Sequence, residues 1–372
     1  MVLAFVIDCL DLSNGTSMSA YRFVEQFRKA GHEVRLVSIG AGGENAYPLE
    51  PRRIPLVSYV AKKQHIQFAK PDRKILMRAF RGADIVHFYF PWKLAFKGRK
   101  ICREMNIPCT TAFHVSPENI TSNIGMSKTS FVNNLFYWYP RSYYNSIKHI
   151  HCPSQLIADL LVQSKYKSKL HVISNGVDED FCPAKTPVKY KDDKFHIGII
   201  GRFAPEKRHD LTIKAVNASK YREQIQLHFF GCGPKQKKLE KLSKILPNQP
   251  VFGFLKKADL INEIRKMDLY VHASDVEAES IACIEAISCG LVPVIAKSPR
   301  SAAKQFALDD RSLFPTGNAS ALTARIEYWI ENSGERERMK GAYAEKGKSY
   351  NIKESIRLTE EMFREAIADH NR

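Results

Sequence analysis

LYVHASDVEAESIACIEAISCGLVPVIA, residues 269–296, holds the local pattern that the whole chain repeats. LYVHAS (269–274) is short, apolar and partly β-branched, as a buried strand is. SIACIEAISCG (280–290) is apolar and helix-like, and VPVIA (292–296) is the next strand. A strand, a helix and a second strand in this order build a parallel sheet with helices on its faces. The loop between the first strand and the helix is acidic. Asp275, Glu277 and Glu279 lie in it and Glu285 lies inside the helix, in a chain of formal net charge +18.

Working outward, the same alternation recurs. Strands are predicted at 2–7, 34–39, 85–90, 108–113, 150–154 and 171–176, and a second set at 195–201, 225–231, 269–274 and 292–296. Helices fall between them, as in SAYRFVEQFRKAG (19–31), where Gly31 is a plausible stop, and PKQKKLEKLSKIL (234–246). The stretch CPAKTPVKYKDDK (182–194) is polar, carries two prolines and precedes a fresh strand, so it reads as a linker. The expected division is a Rossmann-like domain over 1–185, a second over 190–350, and a charged amphipathic helix over 351–372 that crosses back to the first.

The bulk composition agrees with two folded domains. The chain has 372 residues, 44% hydrophobic and 26% charged, and domains rarely exceed ~250 residues. No run reaches the ~18 apolar residues of a membrane span, and MVLAFVIDCLDL reads as a buried strand rather than a leader. The eight cysteines are scattered without a CxxC pair, which argues for reduced thiols and against a zinc site on them. No metal is expected. The charge is uneven: residues 51–103 hold fourteen Lys or Arg against Asp72 and Asp84. Such a surface attracts a polyanion.

Four stretches sit where strands end, the edge at which open α/β sheets bind ligands. SNGTSMSAY (13–21) puts Gly15 at a strand-to-helix turn, open to anions or an ordinary loop. GRFAPEKRHD (201–210) places Arg202 and Lys207 after a strand; together they suit a diphosphate, or form a plain basic loop. AFHVSPENI (112–120) ends a strand on His114, a residue able to bond a sugar hydroxyl or relay a proton, or simply a structural histidine. In the opening stretch Ser280 reads as the helix N-cap. Glu285 then lies about 7.5 Å further along the helix axis. Ionised carboxylates accept hydrogen bonds only, so Glu277 and Glu285 suit two separate diols of one extended ligand. The alternative is a salt-bridged acidic loop. GxGxxG is missing throughout, so a dinucleotide oxidoreductase is poorly supported.

In their order these pieces resemble the retaining GT-B glycosyltransferases of family 4, bacterial diacylglycerol α-glucosyltransferases included. The resemblance runs through AGHEV, DIVHFYFP, TAFH, HVISNGVDEDF, GRFAPEK, FFGCGP, FGFL, MDLYVHAS and EAESIACIEAISCGLVPVIA, with Glu277 and Glu285 as its Glu-x7-Glu motif. It implies two Rossmann-like, doubly wound α/β domains facing a central cleft. It implies that Arg202 and Lys207 bind the donor diphosphate, Glu277 the transferred sugar and Glu285 the ribose. Backbone amides of Ala278, Glu279, Ser280 and Ile281 would contact sugar and phosphate, Gly15 the diphosphate or acceptor, and Phe254 and Leu255 the base. His114 would stand near the sugar, with Glu118 four residues on, as in relatives that act on lipids. Where many relatives have Glu-Gly-Phe-Gly, this chain has Glu277-Ala278-Glu279-Ser280.

The expected function is transfer of a hexose from a nucleotide sugar, UDP-glucose foremost, to a membrane lipid such as diacylglycerol, giving an α-linkage and using no cofactor. Lys62, Lys63, Lys70, Arg73, Lys74, Arg78 and Arg81, interleaved with aromatic residues and followed by FVNNLFYWYPRSYY (131–144), describe a surface that lies on an anionic bilayer. The expected location is peripheral, on the inner face of the cell membrane. Competing readings are a glycosyltransferase extending a soluble or capsular oligosaccharide, a nucleic-acid-binding protein and an inactive scaffold. No nucleic-acid partner is expected, because no nucleic-acid module is recognisable.

Overall fold

A computed structural model describes residues 1–10, 15–52, 67–114 and 140–372. The chain forms two compact units. In the first, β1 (Val2–Cys9), β2 (Glu33–Ile39), β3 (Ala46–Leu49), β4 (Ile85–Phe88), β5 (Cys109–Ala112), β6 (His149–Cys152) and β7 (Lys169–Val172) pair in parallel in the order β3-β2-β1-β4-β5-β6-β7. The order reverses between β1 and β4. β1 is central, so its run VLAFVIDC is apolar almost without alternation, as a strand covered on both faces must be. Helices α1 (Gly15–Lys29), α2 (Arg73–Phe80), α3 (Lys93–Glu104), α4 (Arg141–Tyr144) and α5 (Gln155–Gln163) link its strands.

The second unit repeats the plan. Strands β8 (Phe195–Ile200), β9 (Ile225–Phe230), β10 (Val251–Gly253), β11 (Leu269–His272), β12 (Pro293–Lys297) and β13 (Leu313–Pro315) pair in parallel in the order β10-β9-β8-β11-β12-β13. Its helices are α6 (His209–Ala218), α7 (Gln236–Ser243), α8 (Lys257–Ile264), α9 (Ile281–Ser288), α10 (Ala319–Glu331) and α11 (Ser333–Lys348). Both units therefore carry the doubly wound order whose reversal point is the usual ligand site. The predicted strands are all present. β3 (AYPL), β10 (VFG) and β13 (LFP) each carry a proline or glycine, which reads as a strand breaker, and only the structure reveals them.

The division falls between Asn175 and Gly176, ahead of the polar stretch 182–194. Val177 and Phe181 are buried in the core of the second unit, so an apolar anchor precedes that stretch. The last helix, α12 (Ile352–His370), belongs to the first unit. Its buried face of Ile352, Ile356, Met362, Phe363 and Ala366 packs with α1 and β1. Phe363 stacks on Phe27 at 5.7 Å and meets the edge of Phe5 at 6.2 Å. α1 closes as read: Gly31 has φ +84° and His32 N donates to Phe27 O at 3.1 Å.

Because Phe363 is fully buried between α1 and β1, Phe363→Ala is expected to destabilise the chain by about 3–5 kcal/mol. Urea denaturation followed by circular dichroism reads this. A loss below about 1 kcal/mol, the scale of a surface change, would show that α12 is not part of this core.

Candidate active site

In the second unit the loops leaving β8 and β11, which flank the order reversal, come together. The first runs from Gly201 through a short helical turn at Pro205–Lys207. It is pressed against the loop after β9. A Cβ on Gly231 would lie 2.0 Å from Gly201 O, and one on Gly233 2.7 Å from the backbone N and O of Phe203. The two glycines of FGCGP thus serve close backbone packing, with Phe203 N donating to Cys232 O at 2.8 Å.

Lys207 Nζ stands 2.5 Å from Glu277 Oε1, and both side chains are nearly out of water at 19% and 11% exposure. His272, the last residue of β11, completes the group. Its Nε2 is 3.1 Å from Glu277 Oε1 and 3.0 Å from Ser280 Oγ, and its Nδ1 is 2.9 Å from the Tyr270 hydroxyl. A Tyr270 O–H donating to Nδ1 leaves Nε2–H to donate toward Glu277. Burial works to raise the Glu277 carboxyl, yet Lys207 and His272 overrule it and hold Glu277 well below the usual carboxylate range. Burial also pushes the Tyr270 hydroxyl up, with Cys283, Glu277 and Glu285 adding to it, so both motif glutamates lie around one phenol.

Ser280 departs from its expected role. Its side chain does not cap α9; its φ is +91° and its hydroxyl faces His272 instead. Left-handed backbone at a non-glycine residue costs about 1–2 kcal/mol. A serine therefore occupies a conformation that glycine takes freely, in return for the contact with His272. Asp275 fixes the rest of the loop. It meets Arg208 Nη1 at 3.2 Å and Thr316 Oγ1 at 2.5 Å, while its N donates to Glu206 O at 2.8 Å. Arg202 pairs with Glu206 at 2.9 Å. Asp275 was noted only as one of the loop's acids, and Tyr270, His272, Glu206, Arg208 and Thr316 were not singled out from the sequence. Only His272, ending a strand at the ligand edge, carried a readable signal.

The other expected residues fall as follows. Glu279 is buried, Ala278, Ile281 and Glu285 are half-buried, and Leu255 packs on the core of the second unit. Phe254 is 68% exposed. Asp178 and Asp180, in the stretch HVISNGVDEDF, are bridged by Lys257 at 3.2 and 2.7 Å. His114 belongs to the first unit, just past β5. It stacks on Tyr89 at 5.0 Å and meets His151 edge-on at 5.1 Å, and among the described residues its Nε2 has no hydrogen-bond partner. Burial, then the neighbouring His151 and His87, keeps it neutral. Asp8, near the end of β1, is pushed by burial to about 7 despite accepting from Ala69 N. Gly15 opens α1. Glu118, Lys62 and Lys63 lie outside the described residues.

The basic segment needs one correction. Leu76, Phe80 and Leu94 are fully buried, as are Tyr143 and Tyr144 of the second aromatic stretch, so these side chains form core rather than a membrane-facing surface. The charges do face water: Lys70, Arg73, Lys74, Arg78 and Arg81 are exposed. Lys70 and Arg73 join Arg52, Lys93, Lys97 and Lys100 around a groove of about 880 Å³ between α2 and α3. Among the described residues that line it the one acid is Glu50, 3.4 Å from Lys70.

Residues 13–181 match the family Glycosyltransferase Family 4, and residues 184–346 match Glycosyl transferases group 1. Together these matches take in every strand of the two sheets except β1, and the loops of the second unit described above. The chain is a family 4 glycosyltransferase of the GT-B fold. It is 25% identical to a GDP-mannose-dependent alpha-mannosyltransferase of Mycolicibacterium smegmatis, over 76% of each chain. It is 24% identical to the alpha-monoglucosyldiacylglycerol synthase of Streptococcus pneumoniae, over 76% of this chain and 68% of that one. Among solved structures, sucrose-phosphate synthase of Thermosynechococcus elongatus superposes with a TM-score of 0.80, at 13% identity, over 99% of this chain and all of that one. The catalytic domain of cholesterol-alpha-glucosyltransferase from Helicobacter pylori is 48% identical over 42% of this chain and 99% of that one, with a TM-score of 0.41.

Two outcomes test the site of this glycosyltransferase. Lys207→Met strands a buried carboxylate and should cost about 3–5 kcal/mol, whereas Lys207→Met with Glu277→Gln should cost clearly less than the two single changes summed. Additive losses in urea denaturation would mean the two side chains are not coupled. Ser280→Ala keeps the backbone penalty and loses the hydroxyl, so it should be less stable than Ser280→Gly by roughly 1 kcal/mol. The reverse order in melting experiments would place Ser280 in relaxed backbone.

Proposed function

We propose that this glycosyltransferase moves a hexose, with retention, from a nucleotide sugar to a membrane lipid. UDP-glucose and a diacylglycerol are the best-supported pair. The observation that carries the donor half is the contact of Lys207 with Glu277 at 2.5 Å. In a nucleotide sugar the anomeric carbon is bonded directly to the diphosphate. A site for both must therefore set a cation beside a hydroxyl-accepting carboxylate, and this pair does. Lys207 and Arg202 would share the diphosphate, and Glu277, oriented by His272, would accept from the sugar hydroxyls. Glu285 would take the ribose hydroxyls, the start of α9 the phosphate oxygens, and Phe254 and Leu255 the base. His114, a neutral imidazole, would bond the sugar from the first unit.

In the transfer, the bond from the anomeric carbon to the diphosphate oxygen breaks, and a bond to the acceptor hydroxyl oxygen forms on the same face. The hydroxyl proton passes to the departing phosphate. The charge that develops on the leaving group is what Arg202 and Lys207 would stabilise. With those cations in place, the transfer itself is proposed to need no divalent ion.

The lipid acceptor is supported by the basic groove of α2 and α3 and by the diacylglycerol-linked name of the pneumococcal relative. Lys or Arg side chains near an anionic bilayer contribute about 1 kcal/mol each, so six around one groove suffice for docking. No helix among the described residues is long and apolar enough to cross a membrane, and the enzyme would act from the inner surface. GDP-mannose is the second donor reading, favoured by the mycobacterial relative.

The test is incubation with labelled UDP-glucose, UDP-galactose, UDP-N-acetylglucosamine and GDP-mannose, each with vesicles containing diacylglycerol or a sterol and with soluble oligosaccharides. The expected result is an α-glucosyl lipid formed on anionic vesicles. Transfer to oligosaccharides alone, with no product in any lipid arm, would overturn the lipid reading.

A further inference from the structure

In the first unit, His149 opens β6, His171 lies in β7, and Glu365 and Asp369 occupy successive turns of α12. One ligand atom from each of His149, His171 and Glu365 falls within 4.8 Å of the others. His149 Nδ1 and His171 Nε2 are 3.0 Å apart. In a tetrahedral zinc site with bonds of about 2.0–2.2 Å, ligand atoms stand roughly 3.3 Å from one another. The two imidazole nitrogens already have this spacing. Glu365, whose side chain is 36% exposed, can close the remainder by rotating.

The surroundings favour a metal over a simple hydrogen-bonded pair. His149 is 1% exposed. Its Nε2 is 3.2 Å from Asp369 Oδ2. A carboxylate on the far nitrogen is the arrangement that orients a metal-ligating histidine and leaves its other nitrogen unprotonated. Lys169 also pairs with Glu365, but at 57% exposure it can turn to solvent when a cation arrives.

We propose that His149, His171 and Glu365 form a site for a divalent transition metal of the zinc class, with Asp369 behind His149 and water in the open position. The ion would fasten α12 to the sheet edge formed by β6 and β7. It would be structural, and separate from the transfer chemistry of the second unit. Cysteine counting could not find it, because the ligands are two histidines and a carboxylate brought together only by the return of α12.

The test uses the full chain, freed of metal by a chelator and dialysed. Titration with Co2+ should give one ion per chain, with the visible ligand-field bands of a low-coordinate site, displaced by Zn2+. Loading should raise the melting midpoint. His171→Ala and Glu365→Gln, with folding checked by circular dichroism, should each weaken binding more than about tenfold and abolish the shift in melting. Absence of saturable binding, or unchanged affinity in either variant, would overturn the proposal.

Discussion

Lys207 and Glu277 meet at 2.5 Å in a place where water reaches little of either. Two buried charges that did not meet would each cost several kcal/mol, so neither loop can drift without exposing the other's penalty. The pair thereby couples the loop after β8 to the loop after β11, the two strands that flank the reversal of sheet order. Asp275 reinforces the same coupling with Arg208, and its own N donates to Glu206 O. The ligand edge is thus set by electrostatics across the reversal point. The apolar runs of β8 and β11 only bring it there.

The backbone of Ser280 follows from this constraint. The loop from Asp275 must return Glu277 to Lys207 and then start α9 beside His272. That path passes through left-handed φ at Ser280. A serine there is legible in the sequence as a cap, since serine is a common N-cap residue, and the cap expectation is what the structure overturns. The glycine that many relatives place at this position was the better guide. It reports a backbone requirement, whereas the identity of a serine reports only a hydroxyl.

Much of the fold was legible because burial on both faces writes strands as unbroken apolar runs, as in β1 and β8, and because those runs alternate with helical spacing. β3, β10 and β13 escaped because Pro48, Gly253 and Pro315 interrupt runs that are already short. In the second unit Arg202, Lys207, Glu277 and Glu285, and in the first unit His114, stood out in the sequence as strand-end or motif residues. Their partners were less so: Glu206 and Thr316 meet Asp275 only across long stretches of sequence, and His272 carried just its place at a strand end. The basic segment misled in one respect. Sequence order interleaves charge and aromatic residues, but a helix separates them: α2 buries Leu76, Ala79 and Phe80 and turns Arg73, Lys74 and Arg78 to water.

Two different electrostatic regimes therefore serve the proposed activity. In the second unit, opposite charges are paired in a nearly dry setting, where screening by salt is weak. In the first unit, like charges line an open groove with one acid among them. Glu50 pairs with Lys70 at 3.4 Å and Glu104 with Arg73 at 2.7 Å, yet among the described residues the cations outnumber the acids, so an anionic surface or counterions would lower the free energy of the groove. At physiological ionic strength the screening length is about 8 Å, which still lets a groove of this kind sense a bilayer at contact but not at a distance. Raising the salt concentration should therefore act on docking far more than on the Lys207–Glu277 site. On the proposed reading, the exposed charges would supply reversible attachment to a membrane and leave the buried Lys207–Glu277 pair undisturbed.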